Sequence, residues 1–556
     1  MRSILLFLAI LPSMLFAQQF EWGQAFGGNQ NDNAQRISPG PAGSIFVVGN
    51  FIGPATISST TLDGYGFQDV YLARYSATGQ LIWAKAIGGS GTDQVSAVET
   101  DLQGNIWVSG RFTGSIDLDP SEGSTLITSA PANALDGFLA KFNGDDGSLM
   151  DHRDISAGGT LDIRSIKIDP SDGAIYLGGQ FANTVDFDFG PFTQNRTSFV
   201  TSGDCFVAKY SSTLEFGWAN TFGSVNPAID FVSSIALSND GAVYCTGLLG
   251  GTTDIDPGVG TTNLTCATDA FLIRYNKSNG ALVWGFNLGA NSIEVGTAVM
   301  VNTDDEVILT GTMNSASFDV DPGFGTTTIS SNGISSAPFL LRYGNSGNLL
   351  ENYVTEGLSG LSATMSALEY SATNEIVVAG NFTGTIKFPT DTGYYQVSSG
   401  DSADAFIAFY NHDFLLVDIN IVGGPNSQSA NDVKLTGTIL HLAGQLDGTT
   451  NPGSGALNPI VPVSTGNEGF IFQYNLNPTS INNFFDQNVL VYPNPTQNWI
   501  QIESPSFHHA ELFDLNGRLV LNSSSKLINC AQVEKGIYLL SIHTEQNVVV
   551  KKIVIQ

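Results

Sequence analysis

Charge is what this sequence has least of. Only 13% of its 556 residues are Asp, Glu, Lys or Arg, about half the usual ~25%. The shortage falls on the bases: 21 Lys and Arg stand against 51 acids, a net charge of −30. That balance argues against nucleic acid and against an anionic lipid surface, because both need a basic face. The acidity itself suits solubility outside the cell, or attraction of cations such as calcium. Cysteine is scarce too. Cys205, Cys245, Cys266 and Cys530 are too few for a disulfide-built scaffold. Cys245 and Cys266 fall within one unit of the chain, and spacing leaves both a pair and two buried thiols open. Helical periodicity and long apolar runs are missing beyond the first 17 residues. Met1-Arg2 is a short basic start, residues 4–16 are apolar over too short a span to cross a bilayer, and Ala17 is a small residue at the end. This predicts a signal peptide over 1–17 and a mature chain with no transmembrane segment. No Cys follows Ala17, so no lipid anchor is expected.

What is there is a repeat. One short strand is written seven times, as in Asp69-Val-Tyr-Leu-Ala-Arg-Tyr75 and Asp269-Ala-Phe-Leu-Ile-Arg-Tyr275. The closing aromatics Tyr75, Phe142, Tyr210, Tyr275, Tyr343, Tyr410 and Tyr474 recur every 64 to 68 residues. A fixed period of this kind marks an array of like units. A second strand precedes it in each unit and ends in Gly49, Gly110, Gly179, Gly247, Gly311, Gly380 and Gly444. Turns such as Asp240-Gly241 and Gly104-Asn105 supply the positive φ that tight hairpins need. A shorter strand lies before that turn, and a fourth follows the aromatic, clearest at Trp83 and Trp284. Four antiparallel strands per unit, seven units and Gly at 62 of 556 residues predict an all-β chain whose residues 18–476 form a seven-bladed β-propeller. The seventh unit has no fourth strand of its own. Strand 20–26, with Trp22 where Trp83, Trp218 and Trp284 sit, is expected to close that last blade. Asp151 and Glu351 occupy the tryptophan site of two units, whose outer strands are expected to fray.

These units resemble bacterial β-propeller repeats of the kind that run Gly-Gly, aliphatic-Tyr-Val-x-Gly, Asp-Ala-Phe-aliphatic-Ala-Lys-aromatic and Gly…Trp. The resemblance covers about 20–475, and implies the fold and extracellular use but no defined substrate. Past a linker at 477–488 the pattern changes. Tyr492-Pro493-Asn494-Pro495, Asn516-Gly517-Arg518, Gly536-Ile-Tyr538 and the terminal Lys551-Lys552 stand among short apolar strands, which predicts a small β-sandwich over 489–556. This segment resembles the C-terminal sorting domain of the type IX secretion system of Gram-negative bacteria. The resemblance implies export and handling by that machinery, and a protein secreted or attached to the outer cell surface.

No constellation for catalysis stands out. There is no nucleophile elbow, phosphate loop or His-Glu-x-x-His, and no catalytic or cofactor-binding residue is assigned. Asp-x-Asp recurs as Asp117/Asp119, Asp186/Asp188, Asp254/Asp256 and Asp319/Asp321. Paired carboxylates suit calcium, the one cofactor considered, but Asp-Pro-Gly is also an ordinary turn. A second series, Asp32, Asp93, Asp162, Asp230 and Glu294, is expected either to ring one mouth of a central channel or to bond its local turns. The six histidines, His152, His412, His441, His508, His509 and His543, show no metal-binding spacing. The reading that follows is a non-catalytic binding or adhesion module for a glycan or protein. An extracellular polysaccharide hydrolase or lyase, and a plain structural scaffold, are the rivals.

Overall fold

The structure, a computed structural model, describes residues 17–555 except 122, 130–134, 155–158, 202, 226–228, 335, 358–361, 372–374, 392, 401, 454–458, 478–489, 493–495, 497, 505–506, 514–517 and 545–547. The expected signal peptide up to residue 16 and the linker from 478 lie outside these, as do Pro493, Asn494, Pro495, Asn516 and Gly517. Among the described residues the one helical turn is Pro41–Gly43, and no helix is long and apolar enough to cross a membrane. The chain divides into two compact units, Gln18–Asn477 and a C-terminal one from Pro478.

Among the described residues the first unit is built on seven antiparallel sheets that share a four-stranded core, one of them extended to five strands and one to six, with three smaller sheets beside them. The first runs Asn33–Pro39, Ile45–Phe51, Asp69–Tyr75, Leu81–Gly89 from its inner edge outward. The next five repeat that order, starting at Asp93–Thr100, Gly159–Ile168, Phe231–Leu237, Glu294–Val301 and Ser362–Tyr370. The last holds Gln428–Thr436, Ile439–Leu446 and Glu468–Asn477, and takes its outermost strand from the other end of the unit, Ala17–Phe26. Each innermost strand lies against that of the next sheet, and Gln428–Thr436 against Asn33–Pro39 completes the circle. The fold is all-β and propeller-like. Neighbouring sheets cover both faces of the middle strands, so Asp69–Tyr75 and Asp404–Tyr410 are buried along their whole length and read as apolar runs instead of alternating ones.

Three repeated devices hold the ring. Tryptophans on outermost strands latch the next sheet: Nε1 of Trp22, Trp83, Trp218 and Trp284 donates to the carbonyls of Ala77, Gly144, Lys277 and Asn345 at 3.0–3.2 Å. The turn glycine across the joint rests on the indole. At Gly147, with φ +74°, a Cβ would sit 2.9 Å from the Trp83 ring. The closing tyrosines pin the Asp-x-Asp hairpins, as Tyr210, Tyr275 and Tyr343 donate to the carbonyls of Phe187, Ile255 and Val320 at 2.9–3.0 Å. Between sheets, carboxylates are buried in pairs, Asp69 near Asp93 and Asp204 near Asp230. Sheets without the tryptophan keep their outer strands. Leu149–Asp154 and Leu349–Val354, which carry Asp151 and Glu351, are paired with their neighbours and not frayed, because the backbone ladder does not need the indole. All four cysteines are buried free thiols.

The C-terminal unit has two sheets. Leu490–Tyr492, Trp499–Glu503 and Leu527–Asn529 form one, and Leu519–Ser523, Phe507–Phe513, Gly536–Thr544 and Val548–Ile555 the other. Ile500, Ile502 and Ile528 from the first pack with Ala510, Leu512, Leu540, Ile542 and Ile553 from the second in one core. Tyr492, Gly536, Tyr538, Lys551 and Lys552 lie on these strands, and Arg518 just before one.

Candidate functional site at the mouth of the channel

Every innermost strand carries a β-bulge at the same place. The unpaired residue is Gln35, Ser96, Arg164, Ser233, Thr297, Ser366 or Asn431. A bulge re-aims a side chain and breaks the alternation of a strand. All seven of these side chains line one cavity of about 670 Å³ at the end of the channel where the inner strands begin. The bulge also explains the recurring glycine of the second strand. A Cβ on Gly49, Gly110, Gly179, Gly247, Gly311, Gly380 or Gly444 would lie 1.9–2.3 Å from a carbonyl oxygen of the innermost strand. Only a residue without a side chain lets the backbones approach this closely.

Above the bulges sit seven cross-strand pairs, which include Asn33 with Asn50, Gln94 with Arg111, Asp162 with Gln180, Phe231 with Leu248 and Thr364 with Asn381. Two of these pairs, Gln94 with Arg111 and Asp162 with Gln180, join Gln68 and Arg164 in one polar chain. Gln94 Nε2 donates to Gln68 Oε1 at 2.7 Å, and Arg111 Nε to Gln94 Oε1 at 3.0 Å. Asp162 Oδ2 lies 3.9 Å from Arg111 and accepts from Arg164 Nε at 2.9 Å. Arg164 also donates to Gln180 Oε1 at 3.2 Å. Its guanidinium lies 4.1 Å over the half-buried ring of Phe231, so amides, a guanidinium pair and an aromatic face meet at one rim.

Further along the inner strands a second cavity of about 380 Å³ continues the channel. There Lys434 pairs with Glu369 at 2.8 Å and Asp432 at 3.6 Å, and Lys167 with Glu99 at 3.4 Å. Burial pulls the Lys434 ammonium down, but Asp432 and Glu369 outweigh it and raise its pKa. Along both cavities five bases, Arg36, Arg111, Arg164, Lys167 and Lys434, face four acids, Glu99, Asp162, Glu369 and Asp432. In a chain with 51 acids to 21 bases, the described lining of the channel reverses the sign of the balance. Among the described residues Arg36 has no carboxylate partner and donates instead to the carbonyls of Gln35 and Asn431.

The carboxylates singled out in the sequence do other work. Asp32, Asp93, Asp230 and Glu294 are buried and accept from backbone N–H groups of their own joints, such as Gly89 for Asp93 and Gly250 for Asp230. They do not ring the channel. Asp162 does reach it, because it stands one position further along its strand than the others. Leu161 holds the equivalent place, and a one-residue step turns a side chain to the other face. In the Asp-x-Asp corners, one oxygen of Asp117, Asp254 or Asp319 accepts from the N–H two residues on and from a second N–H eight residues on. Asp119, Asp256 and Asp321 each accept from the N–H two residues on. The residue between, Leu118, Ile255 or Val320, is buried. The C-terminal unit holds a cluster that spacing along the chain hides: His509, Glu511 and His543 come together across two strands.

The fold and the tail define a class: an all-β, propeller-like repeat protein carrying an export address. Residues 490–556 match the family described as the secretion system C-terminal sorting domain. The chain is thus a secreted or cell-surface protein of a Gram-negative bacterium, handled by type IX secretion. An uncharacterized WD repeat-containing protein of Acanthamoeba polyphaga mimivirus is 21% identical over 404 residues, 62% of this chain and 29% of that protein. The chain thus spans under a third of that relative. Among solved structures, Sqt1 of Chaetomium thermophilum aligns over 82% of this chain and 98% of its own at 11% identity and a TM-score of 0.37. The Pan2 WD40 domain of Neurospora crassa aligns over 70% and 90% at 7% identity and a TM-score of 0.33. A protein of unknown function from Dyadobacter fermentans aligns over 83% and 100% at 8% identity and a TM-score of 0.34. Likenesses at this level carry no argument about activity.

Proposed function

We propose that this protein binds an extracellular glycan at the bulge-lined mouth of its channel, without turning it over. The chain of hydrogen bonds and ion pairs Gln68–Gln94–Arg111–Asp162–Arg164–Gln180 beside Phe231 carries the reading. Sugar hydroxyls donate and accept at once, and fixed amide, guanidinium and carboxylate groups serve both needs. The network is ordered before any ligand arrives, so binding costs little side-chain entropy. A glycoside hydrolase would need two opposed carboxylates; Asp162 is the single one among the described residues of this mouth, and Arg111 and Arg164 engage it.

A glycan array followed by calorimetry on the full-length chain tests this, with hydrolysis followed on the same panel. Binding without products is expected, and Arg164→Ala should weaken it at least tenfold. Products would establish the hydrolase or lyase reading. Silence across the panel would leave a scaffold. Calcium at the Asp-x-Asp corners belongs to the same proposal, through the oxygens not bonded to backbone. A Ca2+ titration that gives no heat and no Tm shift removes it.

A further inference from the structure

The strand Phe507–Phe513 lies between Leu519–Ser523 and Gly536–Thr544. Its period of two sends Ala510 and Leu512 into the core, fully buried, and leaves His509 and Glu511 on the opposite face. His509 is directly opposite His543 in the ladder, and Glu511 opposite Ser541. The two imidazoles stack with centroids 4.0 Å apart, and Glu511 Oε2 lies 3.5 Å from His543 Nε2. One ligand atom from each of the three lies within 4.8 Å of the others, in a half-buried setting. The surroundings are polar: His508 Nδ1 is 2.9 Å from His509 Nδ1, Ser541 Oγ is 3.3 Å from His543 Nε2, and Asn522 donates to Glu511 at 3.4 Å. Three of the chain's six histidines are gathered here.

We propose that this face of the C-terminal unit is a binding site for a divalent transition metal of the zinc class, held by His509, Glu511 and His543. Two imidazole nitrogens and one carboxylate oxygen are the donor set of such ions, whereas calcium and magnesium take oxygen alone. With bonds of about 2.1 Å, ligands around a tetrahedral ion stand roughly 3.4 Å apart. From the 4.8 Å spread this asks for up to about 1.4 Å of closure, and for the stacked imidazoles, 11° from parallel, to rotate about their side-chain torsions until both lone pairs meet the ion. Three protein ligands leave a fourth position for water. The ion would tie the two central strands of the sheet together, so occupancy should be read in stability as well as in binding.

The full-length chain, stripped with a chelator, is titrated with Zn2+ by calorimetry, and Co2+ is added in a parallel experiment for its visible spectrum. One equivalent per chain, a tetrahedral cobalt spectrum and a rise in the Tm of the C-terminal transition are expected. His543→Gln and Glu511→Gln, both on the outer face, should keep the fold by circular dichroism and lower affinity at least tenfold. The double variant His509→Gln/His543→Gln should lose both the equivalent and the Tm shift. No heat with Zn2+ in the natural chain overturns the site, as does binding undiminished in the double variant. An equal response to Ca2+ would overturn the assignment to a transition metal.

Discussion

Buried carboxylates give single residues a voice in the stability of the ring. Burial lifts Asp93 to about 7 and Asp32, Asp204 and Asp230 to about 6, each from 3.8, and the Asp69 charge adds to the effect on Asp93. These groups therefore hold protons in the folded state that the unfolded chain has already released. Their contribution to stability is fully present below about pH 4, is lost as pH rises from there to about 7, and changes little above that. A one-unit shift is worth about 1.4 kcal/mol, so the summed effect is measurable. Asp93→Asn keeps the acceptor for Gly89 and removes the titration. Scanning calorimetry from pH 4.5 to 8 should show a shallower fall in Tm for this variant than for the natural chain; an equal slope would clear Asp93 of the effect. The repeated Asp was legible in the sequence, but its burial was not, since only the fold decides which neighbour lies across the joint.

At the scale of the element, the bulged innermost strand and the glycine facing it are one device. Gly247→Ala places a methyl 1.9 Å from the Phe231 carbonyl, and the Gly247 strand is fixed by ladders on both of its sides. A loss of about 2 kcal/mol or more is expected from such overpacking, read as a lower midpoint in urea. The latch is a gentler test. Trp83→Phe keeps an aromatic ring under Gly147 and loses the bond to the Gly144 carbonyl, for about 1 kcal/mol. The recurring Gly was visible in the chain as a letter. Its reason was hidden, because a bulge is a property of two paired strands and not of one.

At the scale of the whole molecule, the ring turns a scarcity of bases into a local surplus. Five of the 21 Lys and Arg face the channel, so an acidic chain can hold a site suited to polar or anionic groups. The tail acts on the molecule as an address. Deleting 490–556 should leave the propeller folded but retained inside the outer membrane, with cell fractionation showing it in the periplasm; normal surface delivery without the tail would contradict this role. Period, turn glycines and the terminal motifs were enough to determine an all-β array and its destination, because they are local patterns that any copy of the chain displays. The mouth of the channel and the His509–Glu511–His543 cluster were decided only by tertiary structure. Their residues come from seven strands hundreds of positions apart in one case, and from the register of two paired strands in the other, and neither distance is written along the chain.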